Sequence, residues 1–151
     1  MGVSMSESDD RVRAVAAQLS LPAGVGLRAW RDDDYAAVRD LATAEGWSTL
    51  RDRPADGLAA WRASWPALVA TNEQTVIGFA RALTDGVVTI YVADLLVAPV
   101  WRGQGLGRAL LVACHLLLPS TRIDLLSTTG ADEFYRAQGF RAFPGFRKSA
   151  W

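Results

Sequence analysis

The chain reads as a mixed α/β domain built on a mostly antiparallel central sheet, and three observations carry that reading. Apolar residues first recur at helical spacing. They then change to a period of two between short polar turns, and a glycine-rich stretch finally opens another helix. Val25–Trp30 reads as the first strand. Arg31-Asp32-Asp33-Asp34 follows, where an Asp caps the next helix by accepting its free amides. Tyr35, Val38, Leu41 and Ala42 give that helix an apolar face, and Gly46 ends it. A second helix covers about Ala55–Trp65, with Leu58, Trp61, Arg62 and Trp65 at helical spacing and Pro66 as terminator. That spacing places Trp61 and Trp65 in the core.

Ala67–Thr71, Thr75–Leu83 and Val87–Val97 then read as three strands. Asn72-Glu73-Gln74 and Thr84-Asp85-Gly86 join them, and short turns between β-branched runs make antiparallel hairpins. After Pro99 a helix runs from about Gly105 to Leu118, stopped by Pro119. Arg122–Ser127 is a strand, and Ala131–Gln138 is a helix closed by Gly139. Phe140–Phe143 and Phe146–Trp151 read as final strands. Ahead of the first strand, Val12, Val15, Ala16 and Leu19 mark a short helix over Arg11–Leu19, preceded by a floppy tail. Residues 1–23 are thus a partly helical N-terminal extension, and 24–151 a single domain.

Composition narrows the function. Sixteen basic residues balance sixteen acidic ones, which argues against a dedicated nucleic-acid binder and a polybasic membrane-surface protein. Half the residues are apolar, enough for a proper core. The single Cys114 makes no internal disulfide and fits a reducing cytoplasm. One Cys and one His, His115, leave no zinc ligand set, so no metal is expected. The longest apolar stretch, Leu110–Leu118, is too short to span a bilayer. Gly2 and Ser6 fit a myristoylation pattern that arises easily by chance.

The informative segment runs from Val97 to Leu111, where a strand ends, a glycine-rich turn follows and a helix begins. Gly103, Gly105 and Gly107 free the backbone and let a ligand approach closely. The first amides of a helix lack internal acceptors, and its dipole favours negative charge there. The result is an anion site suited to a pyrophosphate, with Arg102 and Arg108 at its rim. No Lys-Ser/Thr pair follows the glycines, so the segment is not a P-loop. A dinucleotide fingerprint would need a glycine where Arg108 stands, and the preceding strands are hairpins.

Arg102-Gly103-Gln104-Gly105-Leu106-Gly107 matches the Q/R-x-x-G-x-G/A motif of the GNAT superfamily of N-acetyltransferases, which the chain resembles. Phe134-Tyr135-Arg136-Ala137-Gln138-Gly139-Phe140 looks like that family's FYxxxGF element, and the order of elements fits from about Val25 to Phe143. The resemblance implies a sheet with one splayed parallel strand pair, flanked by helices, and acetyl-CoA as cofactor. By position the pair is Val87–Val97 and Arg122–Ser127. It implies that the backbone of Leu95, Leu96 and Val97 pairs with the pantetheine arm, and that the amides from Gln104 through Arg108 hold the pyrophosphate. Thr128 falls where many relatives place an Asn that bonds the pantetheine.

The reaction so implied is direct attack of a primary amine on the thioester in a ternary complex. A phenol suits protonation of the departing thiolate, and Tyr135 matches the family's acid position. The base departs from the family pattern: Tyr91 and Ala93 stand where many relatives carry Glu or His. Asp94 is the nearest carboxylate, although strict alternation puts it on the opposite face from Tyr91. Glu45 or water are the other options. The family builds its acceptor pocket from the first two helices and their loop, where Trp47 offers an apolar wall and Glu45 a carboxylate, with Tyr91 beside them. The expected acceptor is a small-molecule amine. A protein Lys or N-terminus, and a non-catalytic acyl-CoA-binding module, are the alternatives, and a homodimer is open.

Overall fold

The structure, a computed structural model, describes residues 4–150. Gly2 and Trp151 lie outside them. In chain order the elements are α1 (Met5–Ala16), β1 (Val25–Ala29), a 3-10 turn (Asp32–Asp34), α2 (Tyr35–Ala44), α3 (Thr49–Asp52), α4 (Pro54–Arg62), β2 (Ala67–Asn72), β3 (Thr75–Thr84), β4 (Thr89–Val97), a second 3-10 turn (Pro99–Trp101), α5 (Leu106–Leu117), β5 (Arg122–Leu125) and α6 (Asp132–Ala137). The five strands form one sheet in the order β1-β2-β3-β4-β5. Neighbours are antiparallel except β4 and β5, which run parallel. This is the mixed α/β fold expected.

Two hydrophobic clusters sandwich the sheet. On one face Leu106, Leu110, Leu111 and Leu117 of α5 pack with Ile90, Val92, Ala80 and Leu68. On the other, Tyr35, Val38 and Ala42 of α2 and Trp61 of α4 pack with Val69, Phe79 and Leu96. Trp61 is 1% exposed, with its ring 5.4 Å from Phe79, whereas Trp65 packs against the α5 side.

Several elements depart from expectation, and α4 ends at Arg62, short of the expected Trp65. The N-terminal helix starts at Met5 because the Ser4 side chain caps it by accepting from the Glu7 amide, so residues 5–10 are helix rather than floppy tail. Val12 and Val15 insert into the α5-side core, and Arg11 Nη2 donates to the Leu117 carbonyl at 2.8 Å. The extension is therefore part of the fold. Thr49–Asp52 forms a single helical turn too short and polar to show a period. β4 begins at Thr89 because the Asp85 carboxylate accepts from the amides of Val87, Val88 and Thr89 and winds them into the turn.

The expected final strands, Phe140–Phe143 and Phe146–Trp151, are not formed over the described residues. Pro144 removes a donor, Gly145 weakens any strand it interrupts, and Phe143 and Phe146 are 74% and 96% exposed. The aromatic residues suggested strands; no partner strand takes them.

Val12→Ala should lower stability by about 2 kcal/mol, because it removes buried methyl groups from a packed site. Urea unfolding checks this; a merely draped helix would give no change. The three amides also hold the Asp85 carboxyl down at about 2, against an ordinary 3.8. A depressed carboxylate stabilises the fold above its ordinary value and loses that effect as pH falls through the folded one. Stability should therefore drop between about pH 4 and pH 2, and less steeply in Asp85→Ala, as read by urea midpoints across that window.

Candidate active site

The sheet opens between β4 and β5. The two strands pair only from Thr89↔Arg122 to Val92↔Leu125. β4 then continues to Val97 along β3, and its other edge has no strand partner among the described residues. At the fork the β3 register steps from Ala82↔Val92 to Arg81↔Asp94, leaving Ala93 as a β-bulge. Beyond it, the β4 edge from Leu95 to Val97 takes no strand partner among the described residues, and the Val97 carbonyl accepts from the Arg102 side chain instead.

The bulge also changes which side chains face which way. Ile90 and Val92 point into the α5-side cluster, where Leu95 and Val97 also pack, whereas Leu96 points to the opposite one. The alternation has shifted by one residue. Asp94 therefore lies on the same face as Tyr91, not the opposite one as strict alternation required. Its Oδ2 accepts from Arg81 Nε at 2.5 Å, and Arg81 Nη1 donates to Ser64 Oγ at 3.1 Å. Arg81 and Ser64 are the residues that sequence reasoning missed. The available signal was one arginine inside the apolar run Thr75–Leu83.

From Val97 the chain turns through Pro99–Trp101 into the glycine loop. Gly103 (φ 77°) and Gly105 (φ 83°) occupy left-handed conformations that strain any other residue. Gly107 is constrained by space instead: a Cβ there would lie 3.2 Å from Phe134 Cζ. That close approach brings α6 onto the start of α5, beside Val97. The first amides of α5 lack acceptors within the helix. Leu106 is 1% exposed, so only its backbone faces the site. Gln104 Nε2 lies 3.5 Å from the Val100 carbonyl.

The two rim arginines differ. Arg102 turns inward, donating from Nε to the Val97 carbonyl at 2.9 Å and from Nη2 to Glu45 Oε2 at 2.7 Å. The cation expected at the phosphates and the carboxylate expected at the acceptor thus bind each other, and they tie the end of α2 to the loop. Arg108 is exposed in the first turn of α5 and makes no ion pair among the described residues.

α6 forms the second wall. Tyr135 is half-buried between the edges of Phe134 and Phe140, 5.1 and 5.7 Å away, and burial pushes its phenol above the ordinary value. Thr128 is exposed in the loop from β5 to α6, where its carbonyl accepts the Ala131 amide at 3.1 Å and Ser127 bonds Asp132. On the acceptor side, Trp47 packs edge-on against Phe79 at 6.3 Å, and half-buried Tyr91 sits in register with Leu83 and Asp124. Cys114 is fully buried, and burial pushes its thiol up to about 12, so it is no nucleophile. The His115 ring meets the Thr121 carbonyl at 3.0 Å, on the far part of α5.

Comparison with known proteins agrees with this arrangement. The acetyltransferase (GNAT) domain family matches residues 64–142, just over half of the chain. Histone acetyltransferase TAP1 of Glycine max is 40% identical over 85 residues, which cover 53% of this chain and 37% of that protein. The chain spans about a third of the length of the curated relatives it matches. A GNAT-family acetyltransferase of Streptococcus pneumoniae TIGR4 superposes with a TM-score of 0.66 at 20% identity, covering 84% of this chain and 98% of that one. Arabidopsis thaliana Naa50, in complex with the bisubstrate analogue CoA-Ac-MVNAL, superposes with a TM-score of 0.58 at 21% identity, covering 80% and 85%. The motif, the open strand pair and the family match converge: the chain belongs to the GNAT acetyltransferase family.

Proposed function

We propose that this protein transfers an acetyl group from acetyl-CoA to a primary amine of a small molecule, by direct attack in a ternary complex. The observation that carries the reading is the edge of β4 beyond the Ala93 bulge, which takes no strand partner among the described residues and leads to the start of α5. A pantetheine arm would pair with that edge as an added strand. The amides of Gln104 through Arg108 and the free guanidinium of Arg108 would hold the pyrophosphate. Thr128 would bond the arm from the opposite wall.

Tyr135 is the proton donor in this scheme. Its raised value keeps the phenol protonated at neutral pH, ready to protonate the departing thiolate. Asp94 is assigned to holding the bulge, because the Arg81 guanidinium already occupies its carboxylate. Water then takes the proton from the substrate ammonium, and the neutral amine so formed attacks the thioester. Tyr91 and Trp47 share one face of the sheet, and together they support a small acceptor with an apolar body. A protein acceptor is the second reading, favoured by the relative named a histone acetyltransferase and by the peptide-bearing analogue in the Naa50 complex. We place the protein in the cytoplasm because its single cysteine requires no oxidising compartment. No helix among the described residues is long and apolar enough to cross a membrane.

Thiol release from acetyl-CoA over a panel of small amines and lysine peptides tests the reaction. Small amines should raise the rate; a rise with peptides alone would select the second reading, and no rise with either would reject transfer. Tyr135→Phe should lower kcat about a hundredfold or more while leaving the KM for acetyl-CoA nearly unchanged. Any alkaline limb due to Tyr135 lies above pH 10.0, since deprotonation removes the donor. Gly105→Glu should abolish acetyl-CoA binding in calorimetry, because it combines a strained φ of 83° with a carboxylate facing the phosphates.

A further inference from the structure

A second cavity, of about 830 Å³, lies at the other end of the sheet. Its lining comes from the ends of β1, β2 and β3, the end of α4 and the start of α1, and none of it from β4, β5, α5 or α6. Trp30, Trp61, Trp65 and Leu83 make the apolar wall, and Met5 and Ser8 of the N-terminal helix close it. The volume suits a small ligand, and apolar walls with a few placed polar groups are what such sites use.

The polar groups define the ligand. Five charged residues line the cavity, and two carboxylates are already paired: Asp9 with Arg31 at 3.5 Å and Asp32 with Arg62 at 2.6 Å. Asp33 is exposed at the rim and has no ion pair or hydrogen bond among the described residues. One negative charge is left over. The wall is also one that cations favour: Trp65 already carries the Arg11 guanidinium 5.6 Å from its ring centre. The indole N–H groups of Trp30 and Trp61 are buried without any acceptor.

We propose that this cavity binds a small organic cation: a substituted ammonium on an apolar body. Asp33 attracts the charge, and the partly exposed Trp30 and Trp65 rings hold the substituted nitrogen and the body. α1 is the element that completes the site, through Met5, Ser8 and the Asp9–Arg31 pair. The proposal does not depend on acetyl transfer.

Benzoylcholine is a suitable probe, because it has an aromatic body and a quaternary nitrogen that cannot be acetylated. Binding is read by calorimetry and by saturation-transfer NMR on the full chain without acetyl-CoA. Benzoylcholine should bind, and its neutral isostere 3,3-dimethylbutyl benzoate should bind about tenfold more weakly. Asp33→Asn should weaken the probe about fivefold, the scale of one exposed charge contact. Trp30→Leu should weaken it further. Circular dichroism and acetyl-CoA affinity, unchanged in both variants, would show that the fold is intact. Equal binding of probe and isostere would overturn the proposal. So would wild-type affinity in both variants, or no binding of benzoylcholine at 10 mM.

Discussion

A sheet of five strands would ordinarily close each strand against its neighbour, and here the one residue that prevents closure is Ala93. By dropping out of the β3 register it bends β4 away from β5 at the point where their pairing ends. Everything assigned to the cleft depends on that bend. The open backbone edge, the entry to the glycine loop and the side of the sheet that Asp94 faces are all set by it. The bulge is in turn held from one side by Arg81, whose guanidinium joins Asp94 on β4 to Ser64 after α4. A bend in the sheet and a half-buried ion pair are thus one device, with the ion pair opposing any return to regular pairing.

The parts of this arrangement that were legible in the sequence are those governed by local rules. Glycines at 103 and 105 predict a left-handed loop, proline at 66 predicts a helix end, and short polar turns predict hairpins. Each holds because the cause lies within a few residues. The bulge was not legible, since nothing in Tyr91–Leu95 marks Ala93 as the residue without a partner. Register is decided between strands, by the packing of Leu95 and Val97 on one face and Leu96 on the other. The C-terminal segment misled for the mirror-image reason. Phe140–Phe146 has strand-like residues, but Pro144 and Gly145 interrupt it and no neighbouring edge receives it. Glu45 and Arg102 show the same limit in charge: 57 residues apart, each read as a free ionic group until the fold set them 2.7 Å from each other.

That ion pair gives the zero net charge a local meaning. Of the arginines beside the glycine loop, one is neutralised within the protein and serves to position backbone, while Arg108 alone keeps its charge for the solvent side. The proposed anion site would therefore rest chiefly on dipoles, the free amides at the start of α5 aligned with its axis. Such a site is less sensitive to salt than a cluster of exposed cations, because the partial charges are fixed in the backbone and held at short range. The other end of α5 is balanced too, since its last carbonyls face the Arg11 guanidinium from α1.

That contact between Arg11 and Leu117 joins residues 106 positions apart, and it has a consequence for how the protein comes into being. α1 is made before the α5 side of the core that it packs against. Val12 and Val15 wait for α5, which is made from the last third of the chain. At about 5–20 residues per second the wait is roughly 5–20 s. During it the apolar stripe of α1 is exposed, and its shielding falls to chaperones or to provisional contacts with β1 and β2. Packing of α1 therefore waits for α5, and the N-terminal helix cannot reach its final contacts on its own.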